Sequence, residues 1–366
     1  VIDRIETLEQ IITRDNSIHF ELKDNYQVII HSKPHNIIYN PSSTGIKFHQ
    51  CTSRVKHIMG AFGSGKSTIC FMDIFIQATQ MPPCIDGVRR MRVALVRNTA
   101  GEIETSLIKT WKLWFEPVGT IKARKKPNIT IDHKFNSGNG IIELELIFLG
   151  LDKNKDLDKI KSTEFTSAYL NELSELPSNI LGFMLSRVGR YPSRKMLEGD
   201  AADTGNIEWK PPYWYGIVSD TNPPYIDHWL YKLFEVIRPS NYTLFKQPPG
   251  LLKDKEGKWI KNDQADNLRY IGQDYYIDKV EGNTQEFITV YCCGDYGILK
   301  TGKPVYPQYN DDLHSIDDIK IVPNEMIYYG IDFGTITPAF LVAQLVGGQL
   351  RIIKEFLGDN SALEEL

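Results

Sequence analysis

The chain has 366 residues, of which 42% are hydrophobic and 24% are charged, a composition typical of a water-soluble protein with two or three domains. It contains no run of about eighteen apolar residues, so a membrane-spanning helix is not predicted. The formal net charge of −4 excludes a strongly basic chain, so any contact with nucleic acid would need a local basic patch or a ring of several copies.

The sequence contains five cysteines and no C-x-x-C pair: Cys51, Cys70, Cys84, Cys292 and Cys293. An odd number of cysteines without metal-ligand spacing favours reduced thiols in a cytosolic protein and no zinc site. The chain begins at Val1, with neither Met nor the pattern of a signal peptide, so we expect an internal start.

A glycine-rich loop near the N-terminus fits the pattern G-x-x-x-x-G-K-[ST]: Gly60, Ala61, Phe62, Gly63, Ser64, Gly65, Lys66, Ser67 and Thr68. Strand-like sequence at 55–59 precedes it and helix-like sequence at 69–76 follows it, which is the order that a phosphate-binding loop requires. In such a loop the glycines let backbone N–H groups converge, the lysine reaches the β- and γ-phosphates, and the serine hydroxyl binds Mg²⁺. We therefore predict a site for ATP and Mg²⁺, with a plain surface turn as the alternative.

The region before this loop starts with a helix-like stretch from Ile5 to Ile12. It ends with Phe48, His49 and Gln50, a position at which P-loop motors often contact adenine. Gln50 is therefore a candidate nucleotide contact, and a plain connector is an equal alternative.

Three segments after the loop predict further core elements. Residues 91–97 are a β-rich run that ends in a basic residue and predict a core strand. Residues 103–115 have helical spacing, and residues 141–148 alternate like a half-exposed strand. This mixture of elements around a phosphate loop predicts an α/β fold.

A strand predicted at 165–172 ends in Asn171 and Glu172. In P-loop ATPases an Asp usually holds Mg²⁺ at the first of these positions, and a Glu at the second orients the attacking water. Asn171 departs from this pattern, although its amide can still bind a metal-bound water. Glu172 is the predicted catalytic carboxylate, Glu175 is a nearby rival, and an acidic loop without such a role is the alternative.

Ser178 to Arg190 predict a helix that carries Arg187 and Arg190. Either arginine could be a finger that neutralises charge on the transferred phosphoryl group. Solvated arginines at a helix end are an equal alternative.

Residues 214–224 predict a strand that meets a small polar turn, the kind of strand end that senses the γ-phosphate in motor ATPases. Asn222 lies in this turn and is a candidate nucleotide contact. A helix containing Trp229 and Phe234 is predicted next, and the turn-rich sequence at 239–310 predicts a small lid subdomain.

The last predicted unit is an antiparallel sheet. A strand at 327–334 contains Asp332, and strands at 339–346 and 349–356 are joined by a Gly-Gly turn as a hairpin. RNase H-like nucleases open in this way, with the Asp binding a catalytic metal pair. Asp332 is therefore a candidate ligand of Mg²⁺ or Mn²⁺, and a structural residue at a turn is the alternative.

Together these motifs resemble the large terminase subunit of tailed bacteriophages, the DNA-packaging motor. The resemblance covers most of the chain, including the run at 303–309 before the last unit. It implies a P-loop NTPase core with a small lid subdomain, followed by the start of an RNase H-like α/β nuclease domain. It also implies coupling through Ser219 to Asn222, catalysis by Glu172 and a first nuclease carboxylate at Asp332.

The resemblance divides the chain into an ATPase domain at 1–240, a lid and linker at 241–312 and the first part of the nuclease at 313–366. We expect the nuclease to be incomplete here. The implied function is ATP-driven translocation of viral double-stranded DNA into a prohead, with a metal-dependent endonuclease that cuts the concatemer. The implied partners are this DNA, a portal protein, a small terminase subunit and further copies in a pentameric ring. The implied location is the host cytoplasm, outside both membrane and virion.

The chain departs from the family at Phe62, where many members have an arginine. Arg187 or Arg190, from a neighbouring subunit, would then supply that charge. Two other interpretations stay open. A P-loop helicase without a nuclease would strip an oligonucleotide from a duplex, and an actin-like ATPase, with 330–335 as its phosphate loop, would tolerate mutation of Lys66.

Overall fold

The computed structural model of this chain describes residues 20–99, 101, 103–125, 128–151, 163–203, 208–298, 314–316, 319–332 and 338–358. The predicted helix at Ile5 to Ile12 and the run at 303–309 lie outside these residues. The chain divides into two compact units, Val1–Leu299 and Lys300–Leu366. No helix among the described residues is both long enough and apolar enough to cross a membrane.

The strands described in the first unit are β1 (Phe20–Leu22), β2 (Val28–Ile30), β3 (Ile37–Tyr39), β4 (Val55–Met59), β5 (Arg89–Arg97), β6 (Thr120–Arg124), β7 (Ile129–Asn136), β8 (Ile141–Gly150), β9 (Ser167–Leu170), β10 (Ile217–Thr221), β11 (Tyr242–Lys246), β12 (Leu251–Lys253) and β13 (Trp259–Lys261). The α-helices described there are α1 (Ser43–Gln50), α2 (Lys66–Gln80), α3 (Lys109–Phe115), α4 (Ile180–Leu185), α5 (Arg194–Glu198), α6 (Trp229–Tyr231), α7 (Leu268–Ile271) and α8 (Gln285–Phe287). Adjoining π-helical turns extend three of them: Ile103–Ile108 before α3, Lys232–Ile237 after α6 and Ile288–Cys293 after α8.

An eight-stranded sheet forms the centre of the first unit, in the order β11-β4-β10-β9-β5-β8-β7-β6. The six strands from β11 to β8 pair in parallel, whereas β7 and β6 extend the sheet by antiparallel pairing. The carboxyl ends of parallel strands lie at one edge of a sheet, which is where ligands bind in open α/β folds. The loops after β4, β9, β10 and β11 therefore lie close together.

Helices cover both faces of this sheet, and this explains the apolar runs in its strands. In β5, Val93 and Leu95 join a core with α2 and α3, whereas Ala94 and Val96 join a second core with α4 and α6. A strand that is buried on both faces has no polar side, so its sequence is continuously apolar. The predicted α/β fold around a P-loop core is confirmed, as are the core strands predicted after the loop.

The segment 251–293, called the lid below, forms a smaller core of its own. The β12–β13 hairpin, α7 and α8 contribute to this core, which includes Leu251, Tyr276 and Ile288. Ala61 of the phosphate loop also belongs to it. The central sheet extends past residue 240, because β11 pairs with β4 along its whole length. The division into domains at 240 and 312 stays a prediction.

The helix predicted from Ser178 to Arg190 is shorter than predicted, because α4 ends at Leu185. After it the chain forms a bridge between Val188 and Phe165. Gly189 then turns with a φ of +77°, and a Cβ there would lie 2.3 Å from the Tyr215 ring. These tertiary contacts end the helix, although the local sequence is compatible with a longer one.

The second unit contains a three-stranded antiparallel sheet of β14 (Ile327–Asp332), β15 (Ala339–Val346) and β16 (Gln349–Leu357). Gly347 and Gly348 join the last two strands with φ values of +58° and +79°. A two-residue hairpin turn of this type needs positive φ at both positions, which glycine adopts without strain. The predicted hairpin is therefore confirmed.

Candidate nucleotide-binding site

The phosphate loop lies at the carboxyl end of β4 and leads into α2, as predicted. Gly63 and Gly65 have φ values of +70° and +84°, in the left-handed region. A Cβ on Gly63 would also lie 3.1 Å from the Tyr275 ring, and one on Gly60 would lie 2.4 Å from Gln247. Glycine is therefore needed for both the curl of this loop and its close packing.

Lys66 is buried inside the curl of the loop. Its Nζ donates hydrogen bonds to the carbonyl oxygens of Gly60 at 3.1 Å and Ala61 at 2.8 Å, and to Oδ1 of Asn222 at 2.9 Å. Burial lowers the pKa of Lys66. The structure thus brings Asn222, from the polar turn after β10, to the lysine that would bind phosphate.

Glu172 is the second residue after β9, which ends at Leu170 and is shorter than predicted. Its φ of +50° lies in the left-handed region, which is uncommon for a non-glycine residue and is often associated with functional sites. Burial and the nearby Asp220 raise the pKa of Glu172, Lys66 and Arg97 lower it, and the resulting pKa is about 7. Glu175, the rival carboxylate, is exposed.

Asp220 lies at the centre of the site and was not singled out in the sequence. It belongs to β10 and is fully buried. Its Oδ2 accepts a hydrogen bond from Ser67 Oγ at 2.6 Å. Its Oδ1 accepts from Asn171 Nδ2 at 2.9 Å and from the Glu172 N–H at 3.1 Å. The signal in the sequence that could have identified Asp220 is its charge within a predicted strand. An ionised group is seldom buried without a partner.

Arg97, the last residue of β5, is a second site residue whose role the sequence did not reveal. Its guanidinium donates a hydrogen bond to Oδ1 of Asn171. It reaches this position because β5 and β9 are parallel neighbours that end at the same edge of the sheet. The sequence showed a basic strand end, but not which strand lay beside it.

Arg187 and Arg190 lie beside the other end of β9. The Phe165 N–H donates to the Arg187 carbonyl oxygen, and the Arg190 N–H donates to the Phe165 carbonyl oxygen, both at 3.0 Å. Phe165 precedes β9 and Glu172 follows it, which separates the two by about 20 Å at the usual rise of a strand. Within one chain, the two arginines therefore do not meet Glu172.

A cavity of about 440 Å³ opens beside the phosphate loop. Its lining comes from the loop and the start of α2, from the end of β3 and the turn after it, from α3 and from the lid: Tyr39, Asn40, Pro41, Ser42, Ser64, Gly65, Thr68, Ile69, Thr110, Leu113, Trp114, Asp266, Asn267, Arg269 and Tyr270. Its size and its mixture of apolar and polar residues suit a nucleoside.

Gln50, the residue predicted to contact the nucleotide, is exposed at the end of α1 and is not part of this lining. Residues 40–42, which follow β3, line the cavity instead. The neighbouring His49 turns inward, where its Nδ1 lies 3.0 Å from Oδ1 of Asp73. This buried contact fixes the orientation of α1.

Residues outside the loop sequence hold the loop in place. Gln247, directly after β11, donates from Nε2 to the Ser64 carbonyl oxygen at 2.9 Å and to Asp266 Oδ2 at 3.0 Å, and its Oε1 accepts from Ser64 Oγ at 2.6 Å. Phe62 stacks on Tyr291 of the lid, with ring centroids 4.3 Å apart and an interplanar angle of 18°. The loop is thus attached to the lid by an aromatic pair through Phe62, the residue at which the sequence departs from the resembled family.

The oxygen donors at this edge fit a nucleotide-bound Mg²⁺. Among the described residues, no group of three or more His, Cys, Asp or Glu converges as a metal site. Mg²⁺ needs no such group, because it is usually bound by one or two protein oxygens together with substrate phosphates and water. Ser67 and Asp220, whose oxygens lie 2.6 Å apart, provide such a pair.

Asp332 is the last residue of β14 and is exposed. Its predicted position at the end of the first strand of an antiparallel sheet is therefore observed. Its role as a metal ligand stays a prediction.

A comparison with protein families matches residues 57–187 to the family described as terminase large subunit, T4likevirus-type, N-terminal. The matched range starts in β4 and contains the phosphate loop, Asn171 and Glu172. Residues 57–187 of this chain are therefore similar to the N-terminal part of large terminase subunits. Asp220, Asn222 and the lid lie beyond the range that defines the terminase match.

Several solved large terminases are similar to this chain. The large terminase of the thermophilic bacteriophage D6E is 14% identical, with 88% of this chain and 69% of that chain covered and a TM-score of 0.49. The ATPase domain of the Thermus phage P74-26 large terminase is 11% identical, with coverage of 70% and 94% and a TM-score of 0.41. The HK97 bacteriophage large terminase is 12% identical, with coverage of 87% and 63% and a TM-score of 0.43. A search of curated protein sequences found no match.

Proposed function

We propose that this chain is the ATPase motor subunit of a phage DNA-packaging terminase, which couples ATP hydrolysis to translocation of double-stranded DNA into a prohead. The observation that carries this proposal is the convergence of Lys66, Ser67, Asp220, Glu172 and Asn222 at one edge of the sheet. Together they provide a cation for the phosphates, oxygens for a metal, a carboxylate for the attacking water and an amide near the γ-phosphate position. The terminase family match supports DNA as the translocated polymer.

Each residue has a separate task in this mechanism. Lys66 would exchange its bonds to loop carbonyls for bonds to the β- and γ-phosphates. Ser67 and Asp220 would hold Mg²⁺, which neutralises phosphate charge when bound. Glu172, with a pKa of about 7, would orient the attacking water and accept its proton. Asn222 would lose its hydrogen bond from Lys66 when the lysine binds phosphate. The presence or loss of the γ-phosphate would then be transmitted from Asn222 to β10.

Lys66→Ala tests the ATPase proposal. We expect phosphate release in the presence of double-stranded DNA to be lost, because the loop would lose its cation at the transferred phosphate. Lys255→Ala, at an exposed lysine of the lid, is the matched control and should hydrolyse ATP at the wild-type rate. Near-normal turnover by Lys66→Ala would overturn the proposal.

The remaining functions that we propose are those of a complete packaging motor. Asp332 would be the first carboxylate of an RNase H-like nuclease that uses Mg²⁺ or Mn²⁺, supported by its place at the end of β14. The partners would be a portal protein, a small terminase subunit and further copies in a pentameric ring, in the host cytoplasm. In a longer chain that contains the whole nuclease domain, Asp332→Ala should abolish Mn²⁺-dependent plasmid nicking without slowing phosphate release, and nicking that persists would contradict this role.

A further inference from the structure

The carboxylate beside the Ser67 hydroxyl of the phosphate loop is Asp220, which belongs to β10 rather than to β9. Ser67 Oγ donates to Asp220 Oδ2 at 2.6 Å. In the sheet, β10 lies between β4, which leads into the loop, and β9, which leads to Glu172. A residue near the end of β10 is therefore closer to the loop than a residue at the end of β9.

Asn171 occupies the usual position of the metal-binding Asp but makes different contacts. Its Nδ2 donates to Asp220 Oδ1 at 2.9 Å, and its Oδ1 accepts from Arg97. A carboxylate at 171 would place two like charges in contact, which disfavours ionisation of both. An amide both accepts and donates, so it can connect Arg97 to Asp220.

The surroundings of Asp220 favour a cation as a further partner. The hydrogen-bond donors that the structure gives it are a hydroxyl, a side-chain amide and a backbone N–H, from Ser67, Asn171 and Glu172, and all three are neutral. The carboxylate is also fully buried. Burial of an ionised carboxylate is unfavourable unless a cation or a metal compensates its charge. Lys66 interacts with Asp220 through space, but its Nζ donates its hydrogen bonds to loop carbonyls and to Asn222. A carboxylate beside a serine hydroxyl is a donor set that suits Mg²⁺.

We propose that the metal-binding carboxylate of this ATPase has been exchanged between neighbouring strands: Asp220, together with Ser67, binds the nucleotide-bound Mg²⁺, and Asn171 positions Asp220. The usual arrangement in P-loop ATPases has this carboxylate at the position of Asn171. The inference rests on the proposed ATPase function, since it concerns the metal that accompanies ATP.

The test measures binding rather than turnover. Fluorescence of mant-ATP would give nucleotide affinity in EDTA and in Mn²⁺, and Mn²⁺ electron paramagnetic resonance would give metal affinity in the nucleotide complex. Asp220→Asn keeps acceptors for Asn171 and the Glu172 N–H, so it should fold. We expect its metal affinity to fall at least about 10-fold. Its affinity for metal-free nucleotide should stay equal or rise, because a negative charge near the phosphates is removed.

Two comparison variants make this result specific. Asp227→Asn, at an exposed aspartate in the turn after β10, should bind Mn²⁺ like the wild type. The exchange variant Asn171→Asp/Asp220→Asn returns the carboxylate to β9 and keeps a donor–acceptor pair between the two positions. We expect it to bind Mn²⁺ at least about 10-fold more tightly than Asp220→Asn alone.

Three results would overturn the inference. Asp220→Asn could keep wild-type metal affinity, it could lose metal-free and metal-bound nucleotide equally, or the exchange variant could bind metal no better than Asp220→Asn. In each case tight mant-ATP binding by the wild type would leave the proposed function intact. A wild-type chain that binds no mant-ATP would instead reject the proposed function itself.

Discussion

Glu172 combines two features that oppose stability and favour catalysis. Its left-handed backbone costs about 1–3 kcal/mol, the usual range for residues held in sparsely populated conformations. Its carboxyl group is desolvated beside a second carboxylate, Asp220, and its pKa is accordingly raised to about 7. A carboxyl group with a pKa near neutrality is well matched to accept a proton from water.

Glu172→Gln should leave nucleotide binding intact and slow hydrolysis by about 10²–10⁴-fold, the usual contribution of a general base. Nucleotide affinity and phosphate release should be measured on the same preparation. Glu175→Gln is the control, because this neighbouring carboxylate is exposed, and it should keep wild-type turnover. If Glu175→Gln were the inactive variant, the catalytic role would move to that residue.

The same substitution should change how stability depends on pH. The pKa of Glu172 is about 7 in the folded chain against an ordinary value of 4.5, so its ionisation destabilises the fold as pH rises from 4.5 to 7. Glutamine cannot ionise. We therefore expect Glu172→Gln to raise the Tm of the nucleotide-free chain more at pH 8 than at pH 5. An equal change in Tm at both pH values would show that the pKa is not raised.

At the scale of elements, the phosphate loop is shared between the central sheet and the lid. Ala61 contributes to the lid core, and Gly294 packs so closely that a Cβ there would lie 2.8 Å from the Ala61 nitrogen. The Tyr276 hydroxyl donates to the Phe62 carbonyl oxygen at 2.8 Å. A change in the conformation of the loop on nucleotide binding would therefore alter its contacts with the lid directly.

The stacked pair Phe62 and Tyr291 should be energetically coupled. Urea unfolding of Phe62→Ala, Tyr291→Ala and the double variant should give a coupling free energy of about 0.5–1.5 kcal/mol, the range measured for aromatic pairs. Phe62→Ala combined with Leu113→Ala, at an exposed leucine, should be additive. Additivity of the Phe62 and Tyr291 changes would show that the stack does not join the loop to the lid.

For the whole molecule, the placement of the arginines bears on whether one chain could supply every group of the proposed ATPase. Arg97 is in the site of its own chain, whereas Arg187 and Arg190 lie beside the far end of β9. A finger at either of the last two positions must therefore act on a neighbouring copy. With such a finger, hydrolysis would require neighbouring copies, as in the ring that we propose.

Mixing two inactive variants tests action between copies. Arg187→Ala/Arg190→Ala should lose about 10³–10⁵-fold in rate, the usual contribution of an arginine finger. Mixed with Lys66→Ala, whose arginines are intact, it should regain phosphate release under conditions in which rings form. The double arginine variant could instead keep wild-type turnover while Arg97→Ala is inactive. That result would show that Arg97 of the same chain supplies the positive charge at the transferred phosphoryl group.

The phosphate loop and the hairpin of the second unit could be predicted from the sequence. Both are local: the glycine spacing from Gly60 to Gly65 fixes the loop, and Gly347 and Gly348 fix the hairpin turn. The strand ending near Glu172 could also be predicted, because an apolar run from Ala168 to Leu170 ends there in two polar residues. Gln50 lies outside the cavity beside the loop because helix α1 is oriented by the buried contact of His49 with Asp73, which no local pattern shows.

The sequence by itself determined which residues form the loop, that Asn171 departs from the usual aspartate, and that a carboxylate follows at Glu172. Only the tertiary structure showed that the carboxylate beside the Ser67 hydroxyl is Asp220, on a different strand. Strand order is set by packing between distant segments, and it places β10 between β4 and β9. For that reason Asp220, far from the loop in sequence, lies 2.6 Å from Ser67, while Arg187 and Arg190, near Glu172 in sequence, lie at the opposite end of β9.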